Sequence, residues 1–458
     1  MLKLLLLVLV LAVTPAEASY LLEVCPNPID AKAEFVKVSV DSNCTLSDGE
    51  GNVTLNESGT FYVAKNKSAF FKSFGIYPDY EFKGRFALSN GGERIWIIQN
   101  GKIVDEFGWK NADRGLIYYR TQNGWDFKYQ DWTNFSSVED YVSGRIIVSP
   151  TKYKIKADSL VLASYTLTDP SFIDCDNVTI FLDGNPVGGA PINEMILSGN
   201  VHFLKSSSYR HFHWKFAIAD EDKVVITTEN WKWNKRGYIV EFESDKIANF
   251  LKSVLNHDRI YETEIVEFGK PMHNFKTLKK GDELRFNAKV EVFVLPDRNP
   301  IFNLISSAKR RVIIQAPYMD FEWFWNDRPL LDAITNASKH AEVRIILSED
   351  EIATKQFLED LAKAENLNLK VKTTENLHGK MIVVDDVALI TSANLNKYGL
   401  KLNREVGIIV YDAKVADFLT KKFEEDWGGK KQENSYLILT AIALAIALIL
   451  VHAFIRRH

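Results

Sequence analysis

Two short strings carry the residue types that could act on phosphorus. The first is His213-Trp214-Lys215-Phe216-Ala217-Ile218-Ala219-Asp220, followed by Thr227-Thr228-Glu229-Asn230; the second is His378-Gly379-Lys380-Met381-Ile382-Val383-Val384-Asp385, followed by Thr391-Ser392-Ala393-Asn394. In both, Lys stands two places after His and Asp seven places after it, with Asn close behind. In an extended segment, residues two apart share a face, so each string aims an imidazole and an ammonium at one point. A neutral imidazole can attack a phosphodiester and form a phosphohistidine, while Lys and Asn hold the anionic oxygens. The leaving oxygen needs a proton, which a second His can supply as general acid before serving as base toward water. Two copies in one chain fill both roles without a metal or a cofactor, and neither is expected.

Chance does not account for the pair. With each charged residue type at a given place about 6% of the time, nine His give roughly 0.03 expected His-x-Lys-x4-Asp strings. The paired strings resemble the phospholipase D superfamily, the HKD phosphodiesterases, over roughly residues 147 to 428. The resemblance implies an α/β fold of two pseudo-symmetric repeats, 147–262 and 263–428. It also implies catalytic roles for His213, Lys215, Asn230, His378, Lys380 and Asn394, with Asp220 and Asp385 in support. Thr227-Thr228 and Thr391-Ser392 stand where the family has a Gly-Ser pair, keeping a hydroxyl but losing Gly, and Thr228 and Ser392 are expected to contact substrate. Glu405, in Asn403-Arg404-Glu405-Val406-Gly407, matches a carboxylate that orients the imidazole, here expected to be that of His378. The first half reads Asn234-Lys235-Arg236-Gly237 at the corresponding place, which leaves Glu241 as a substitute partner for His213. Family precedent makes His213 the nucleophile, whereas a Glu405–His378 pair favours His378, and both readings stand.

Aromatic residues gather near these strings: Trp231 and Trp233 after Asn230, and Tyr318, Phe321, Trp323, Phe324 and Trp325 together. They read as a platform for bases or lipid, with Trp231 a substrate contact, or equally as core. Lys279-Lys280 and Lys309-Arg310-Arg311 could meet phosphate but more often lie on solvated faces.

The elements that must position the strings alternate strand and helix. Val312 to Ala316 and Val343 to Leu347 read as strands, Leu330 to His340 and Ala353 to Ala364 as helices. Before them, from about Tyr20 to Trp132, closely spaced strands and turns predict an all-β sandwich spanning 19–146, with a hairpin around Asn100-Gly101. Its pieces, Glu34-Phe35-Val36, Thr45-Leu46-Ser47-Asp48, Phe61-Tyr62-Val63, Leu88-Ser89-Asn90-Gly91-Gly92 and Asn100-Gly101-Lys102-Ile103-Val104-Asp105, resemble the lamin tail domain. That resemblance implies an immunoglobulin-like binding or spacing module.

At 458 residues the chain has room for roughly three domains of about 150 residues. A net charge of −4 argues against binding driven by bulk positive charge. Residues 1–18 read as a signal peptide, and the uncharged run 436–455, after a linker at 429–435, as one membrane-spanning helix with Arg456 and Arg457 on the cytoplasmic side. The working part is then extracytoplasmic and anchored in the cell membrane. There Cys25 and Cys44 form the expected disulfide, Cys175 is left over, and seven Asn-x-Ser/Thr triplets are open to glycosylation. The whole predicts an anchored phosphodiesterase, with nuclease action on DNA outside the cell slightly favoured by the company of the lamin-tail-like module. The alternatives are a phospholipase D or phosphatidyl transferase, and, from another class, a non-catalytic surface binding protein.

Overall fold

A computed structural model describes residues 19–122, 124–191, 200–232, 234–264, 268–269, 280–321 and 328–428. The signal-peptide and membrane-helix expectations, 1–18 and 436–455, lie outside the described residues, as do the linker 429–435, Lys279, Trp233 and Trp323 to Trp325. Among the described residues no helix is long and apolar enough to cross a membrane. The chain divides into two compact units, one up to Thr133 and one from Asn134 onward.

The first unit is built from two sheets. A six-stranded sheet orders Gly124–Tyr129, Leu116–Thr121, Tyr20–Asn27, Phe35–Val40, Gly59–Ala64 and Tyr80–Glu81; a four-stranded sheet orders Asn52–Leu55, Cys44–Ser47, Glu93–Gln99 and Lys102–Trp109. The Asn100-Gly101 hairpin forms as expected, both residues at positive φ (50° and 72°), the backbone twist that a two-residue turn needs to join twisted strands. Helix Lys67–Phe74 starts at Asn66, whose side chain accepts from Ala69 N, and ends at Gly75 in the left-handed conformation. The expected Cys25–Cys44 disulfide is absent: all three cysteines are free thiols. Cys25 lies on a strand of the six-stranded sheet, packed with Phe35, Ala64, Phe70 and Ile117, whereas Cys44 belongs to the four-stranded sheet and pairs with Leu55. Nearness in sequence did not survive the change of sheet.

The second unit begins about a dozen residues before the change of texture at Ile147. The strand Val138–Ser149 belongs wholly to it, pairing with Gly237–Glu243 on one side and Glu283–Leu295 on the other. These strands lie near the middle of a fifteen-stranded sheet whose order reads nearly the same from both ends. On one side, three parallel strands (Asn200–Leu204, Asn177–Asp183, Ser159–Ser164) lead through antiparallel Lys215–Ala219, Lys223–Thr227 and Gly237–Glu243 to Val138–Ser149. On the other, parallel Leu369–Thr374, Glu342–Ser348 and Arg311–Ala316 lead through Met381–Val384, Val387–Thr391 and Glu405–Tyr411 to Glu283–Leu295.

The helical texture is uneven. Pro329–Ser338 and Ile352–Ala364 connect the parallel strands of the second half, as their periodicity predicts, but Ser159–Ser164 reaches Asn177–Asp183 through only a short 3-10 turn, Pro170–Phe172, and a two-residue strand. Each half then closes with a capped helix, Asp245–Asp258 behind Ser244 and Ala413–Trp427 behind Asp412.

Candidate active site

His213 and His378 precede the strands Lys215–Ala219 and Met381–Val384, and each is fastened by the opposite half. His213 N donates to Arg404 O at 2.8 Å, and His378 N donates to Arg236 O at 2.9 Å. The two arginines are anchored the same way. Arg404, fully buried, meets Asp258 Oδ2 at 2.6 Å and Asp297 Oδ1 at 3.0 Å; Arg236 meets Asp426 Oδ1 at 2.7 Å. Asp258 ends the closing helix of the first half and Asp426 lies in that of the second, so each arginine binds the other half's helix.

The four expected side chains converge. Lys215 Nζ donates to His213 O at 2.6 Å, and Lys380 Nζ donates to His378 O at 2.8 Å and to Thr228 O, across the halves, at 3.5 Å. Lys215 Nζ is 3.2 Å from both ring nitrogens of His213, which puts the ammonium over the ring rather than in its plane. Burial, then the charges of Lys380, Lys215 and His213, hold His378 well below the ordinary imidazole range. Burial lowers His213 to about 4, opposed by the carboxylate of Glu405 and aided by Lys215 and Lys380. Burial likewise lowers Lys215 to about 7 and Lys380 to about 8. The Oδ1 atoms of Asn230 and Asn394 are buried and accept no hydrogen bond from any described residue. Together these groups form a polar cluster suited to an anion.

The carboxylates are exchanged relative to expectation. Glu405 Oε1 lies 2.7 Å from Nδ1 of His213, not of His378, and is held further by Ser392 Oγ at 2.5 Å and Asn403 Nδ2 at 3.1 Å. Burial opposes its ionisation, but the His213 charge and hydrogen bond, Lys215 and Ser392 keep it below the usual carboxylate range. An ionised Glu405 can only accept, so His213 carries its proton on Nδ1 and leaves Nε2 bare. Glu241 is not a substitute partner, since it binds Arg145 at 2.9 Å and Tyr153 Oη at 2.6 Å.

The group facing His378 is Glu229, which sequence reasoning passed over; its Oε1 is 3.4 Å from His378 Nδ1. A signal for it existed. Gly237 and Glu405 each open the strand that follows the arginine, so Gly237, and not Arg236, is the counterpart of Glu405. A half that lacks the strand carboxylate carries Glu229 where the other has Ala393. Tyr165 was also missed; its ring meets that of His213 edge-on at 4.7 Å.

Several expected roles are corrected. Trp231 is no substrate contact, because it is fully buried and stacked on Phe172 at 5.0 Å within the core of the first half. Thr228 and Ser392 are likewise buried; Thr228 Oγ1 accepts from Tyr238 N, and Ser392 Oγ donates to Glu405 and accepts from Val406 N, so both hold the framework rather than the substrate. Asp220 and Asp385, expected only in support, accept from the backbone N–H groups of Asp158 and Ser159, and of Lys309, Arg310 and Arg311. The basic run therefore spends its amides on Asp385, while Arg310 and Arg311 pair with Asp386 and Asp417. Of the aromatic cluster, Phe321 is buried against Phe357 and Tyr318 is exposed.

Residues 301–427 match the family described as cardiolipin synthase, PLD-like domain. The chain is 34% identical over 137 residues to the major cardiolipin synthase of Bacillus subtilis (strain 168), covering 28% of this chain and 27% of that protein. It is 33% identical over 130 residues to a cardiolipin synthase of Staphylococcus aureus (strain Mu50 / ATCC 700699), covering 27% of this chain and 25% of that one. The chain thus spans about a quarter of the length of these curated relatives. Among solved structures it is similar to the phosphatidylserine synthase of Haemophilus influenzae Rd KW20, with a TM-score of 0.43 and 14% identity over 65% of this chain and 90% of that one. The two His-x-Lys strings, the site they share and the family match over residues 301–427 agree on a phospholipase D-like domain in the second half.

Proposed function

We propose that this chain cleaves phosphodiesters in two steps through a phosphohistidine on His213, with His378 delivering the proton to the leaving oxygen and later activating the acceptor. The observation that carries this reading is the contact of His213 Nδ1 with Glu405, which leaves Nε2 bare beside two ammonium groups. The same contact supports the choice of His213, because the family precedent and the position of the carboxylate both favour it. Lys215, Lys380, Asn230 and Asn394 hold the anionic oxygens while charge shifts from the bond being broken.

A phospholipid is the substrate class supported by the cardiolipin synthases that match the second half, with water or an alcohol as acceptor; DNA is the other phosphodiester. The first unit acts in this proposal as the lamin-tail-like spacer, and the apolar run 436–455 as the tether that keeps the site outside the cell and near head groups. The full chain, with EDTA present, is offered vesicles of phosphatidylglycerol and phosphatidylcholine, plasmid DNA, and bis(p-nitrophenyl) phosphate. Turnover of vesicle lipid with EDTA present is expected; cleavage of DNA alone would overturn the lipid reading, and no turnover of any ester would leave a binding protein.

The pH profile follows from the same groups. His213 must be neutral, so kcat/KM should fall as pH drops through about 4. Lys215 and Lys380 must be charged, so it should fall again as pH rises through about 7 to about 8. A profile of kcat/KM on bis(p-nitrophenyl) phosphate should show a plateau on the acid side of neutrality, with an alkaline limb steeper than the loss of one proton gives.

A further inference from the structure

The two carboxylates that face the imidazoles have unlike surroundings. Glu405 accepts from His213, Ser392 and Asn403. Glu229 Oε1 is buried, accepts from no described donor, and faces His378 Nδ1, itself without a hydrogen bond, across 3.4 Å. A small approach closes that gap to a hydrogen bond. The place that Glu229 occupies is made for it. A Cβ at Gly237 would lie 2.2 Å from Glu229 Oε1 and 2.8 Å from Thr228 Oγ1, so glycine there leaves the space that the Glu229 carboxyl fills. The other half keeps its carboxylate on the strand, at Glu405, and has only Ala393 at the position of Glu229.

This matters because a general acid needs a proton to give. Burial, Lys380, Lys215, His213 and Lys235 keep the His378 ring neutral. Burial raises Glu229 to about 8 against the pull of Lys380, Lys235 and Lys215. Where two titratable groups are pushed apart in this way, acid and base roles separate.

We propose that Glu229 and His378 share one proton and act together as the general acid, Glu229 being the positioning residue that reloads the imidazole; this rests on His213 as nucleophile. As the phosphorus–oxygen bond to the leaving group breaks, His378 Nε2–H passes its proton to that oxygen. The Glu229 carboxyl proton moves to Nδ1, leaving Glu229 ionised and His378 neutral in its other tautomer. In the second step Nε2 takes the proton of the attacking water or alcohol, Nδ1–H returns its proton to Glu229, and the pair is restored.

The test separates a proton donor from a structural prop by the leaving group. Nitrophenolate departs without a proton, whereas an alkoxide does not. Single-turnover rates of the full chain are compared on bis(p-nitrophenyl) phosphate, read as the nitrophenolate burst, and on phosphatidylglycerol vesicles or plasmid DNA, whichever the unaltered enzyme cleaves. Glu229→Gln, which keeps the shape of the side chain, should slow the alkyl ester about 100-fold or more, with a loss at least about tenfold smaller on the nitrophenyl burst. Glu229→Asp, which keeps a carboxyl group, should recover most of the alkyl loss. Equal losses on both esters, no loss on either, or an Asp variant no better than Gln would overturn the proposal. Failure of the two-step reading itself shows differently, as a His213→Ala variant that still releases the burst.

Discussion

Replacing His213 by Ala should abolish the covalent intermediate and lower turnover on the order of 10⁴-fold or more, the scale on which loss of a nucleophile is felt. His378→Ala should behave otherwise. It keeps the bare Nε2 of His213, with Glu405 2.7 Å from its Nδ1. An ester with a nitrophenolate leaving group should therefore still phosphorylate the enzyme, but the adduct should persist, because no base activates its acceptor. Quenching both variants with labelled substrate and following the phosphohistidine under alkaline conditions reads the difference. An adduct in His213→Ala and none in His378→Ala would reverse the roles.

The second large effect concerns stability. Arg404→Ala should cost the second unit about 3–5 kcal/mol, since it strands charges in a dry interior. The guanidinium is fully buried and meets Asp258 and Asp297, both side chains also fully buried, at 2.6 Å and 3.0 Å. Arg236→Ala removes the corresponding pair, but Arg236 and Asp426 keep 23% and 16% of their side-chain surface, and the expected loss is about 1 kcal/mol. Urea unfolding of the two variants measures the contrast; equal losses would mean that water or rearrangement relieves Asp258 and Asp297.

What could be read beforehand divides along physical lines. The His-x-Lys pairs were legible because residues two apart in an extended segment share a face, although only Lys215 lies within a strand, and His213, His378 and Lys380 stand just before Lys215–Ala219 and Met381–Val384. The Asn100-Gly101 hairpin was legible for the same reason. The partner of each imidazole was not, since Glu405 reaches His213 across 192 positions and only the folded sheet decides which half it serves. A register slip of one residue, which matched Glu405 with Arg236 instead of Gly237, hid the role of Glu229. Trp231 was ambiguous because an aromatic residue after a catalytic string looks the same whether it lines a cleft or fills a core. The boundary fell early because Val138 to Tyr141 alternates half-buried and exposed positions as sandwich strands do, and only Ile146 to Ser149 is continuously buried.

The reciprocal tie of His213 to Arg404 O and His378 to Arg236 O carries a further consequence. The register between the two rings is written in main-chain geometry, which side chains reach chiefly through the anchors of Arg404 and Arg236. Drift in the size of neighbouring core residues should then translate both rings together and leave their offset intact. Residues around the rings are then free to diverge while the proposed phosphorus chemistry keeps its geometry.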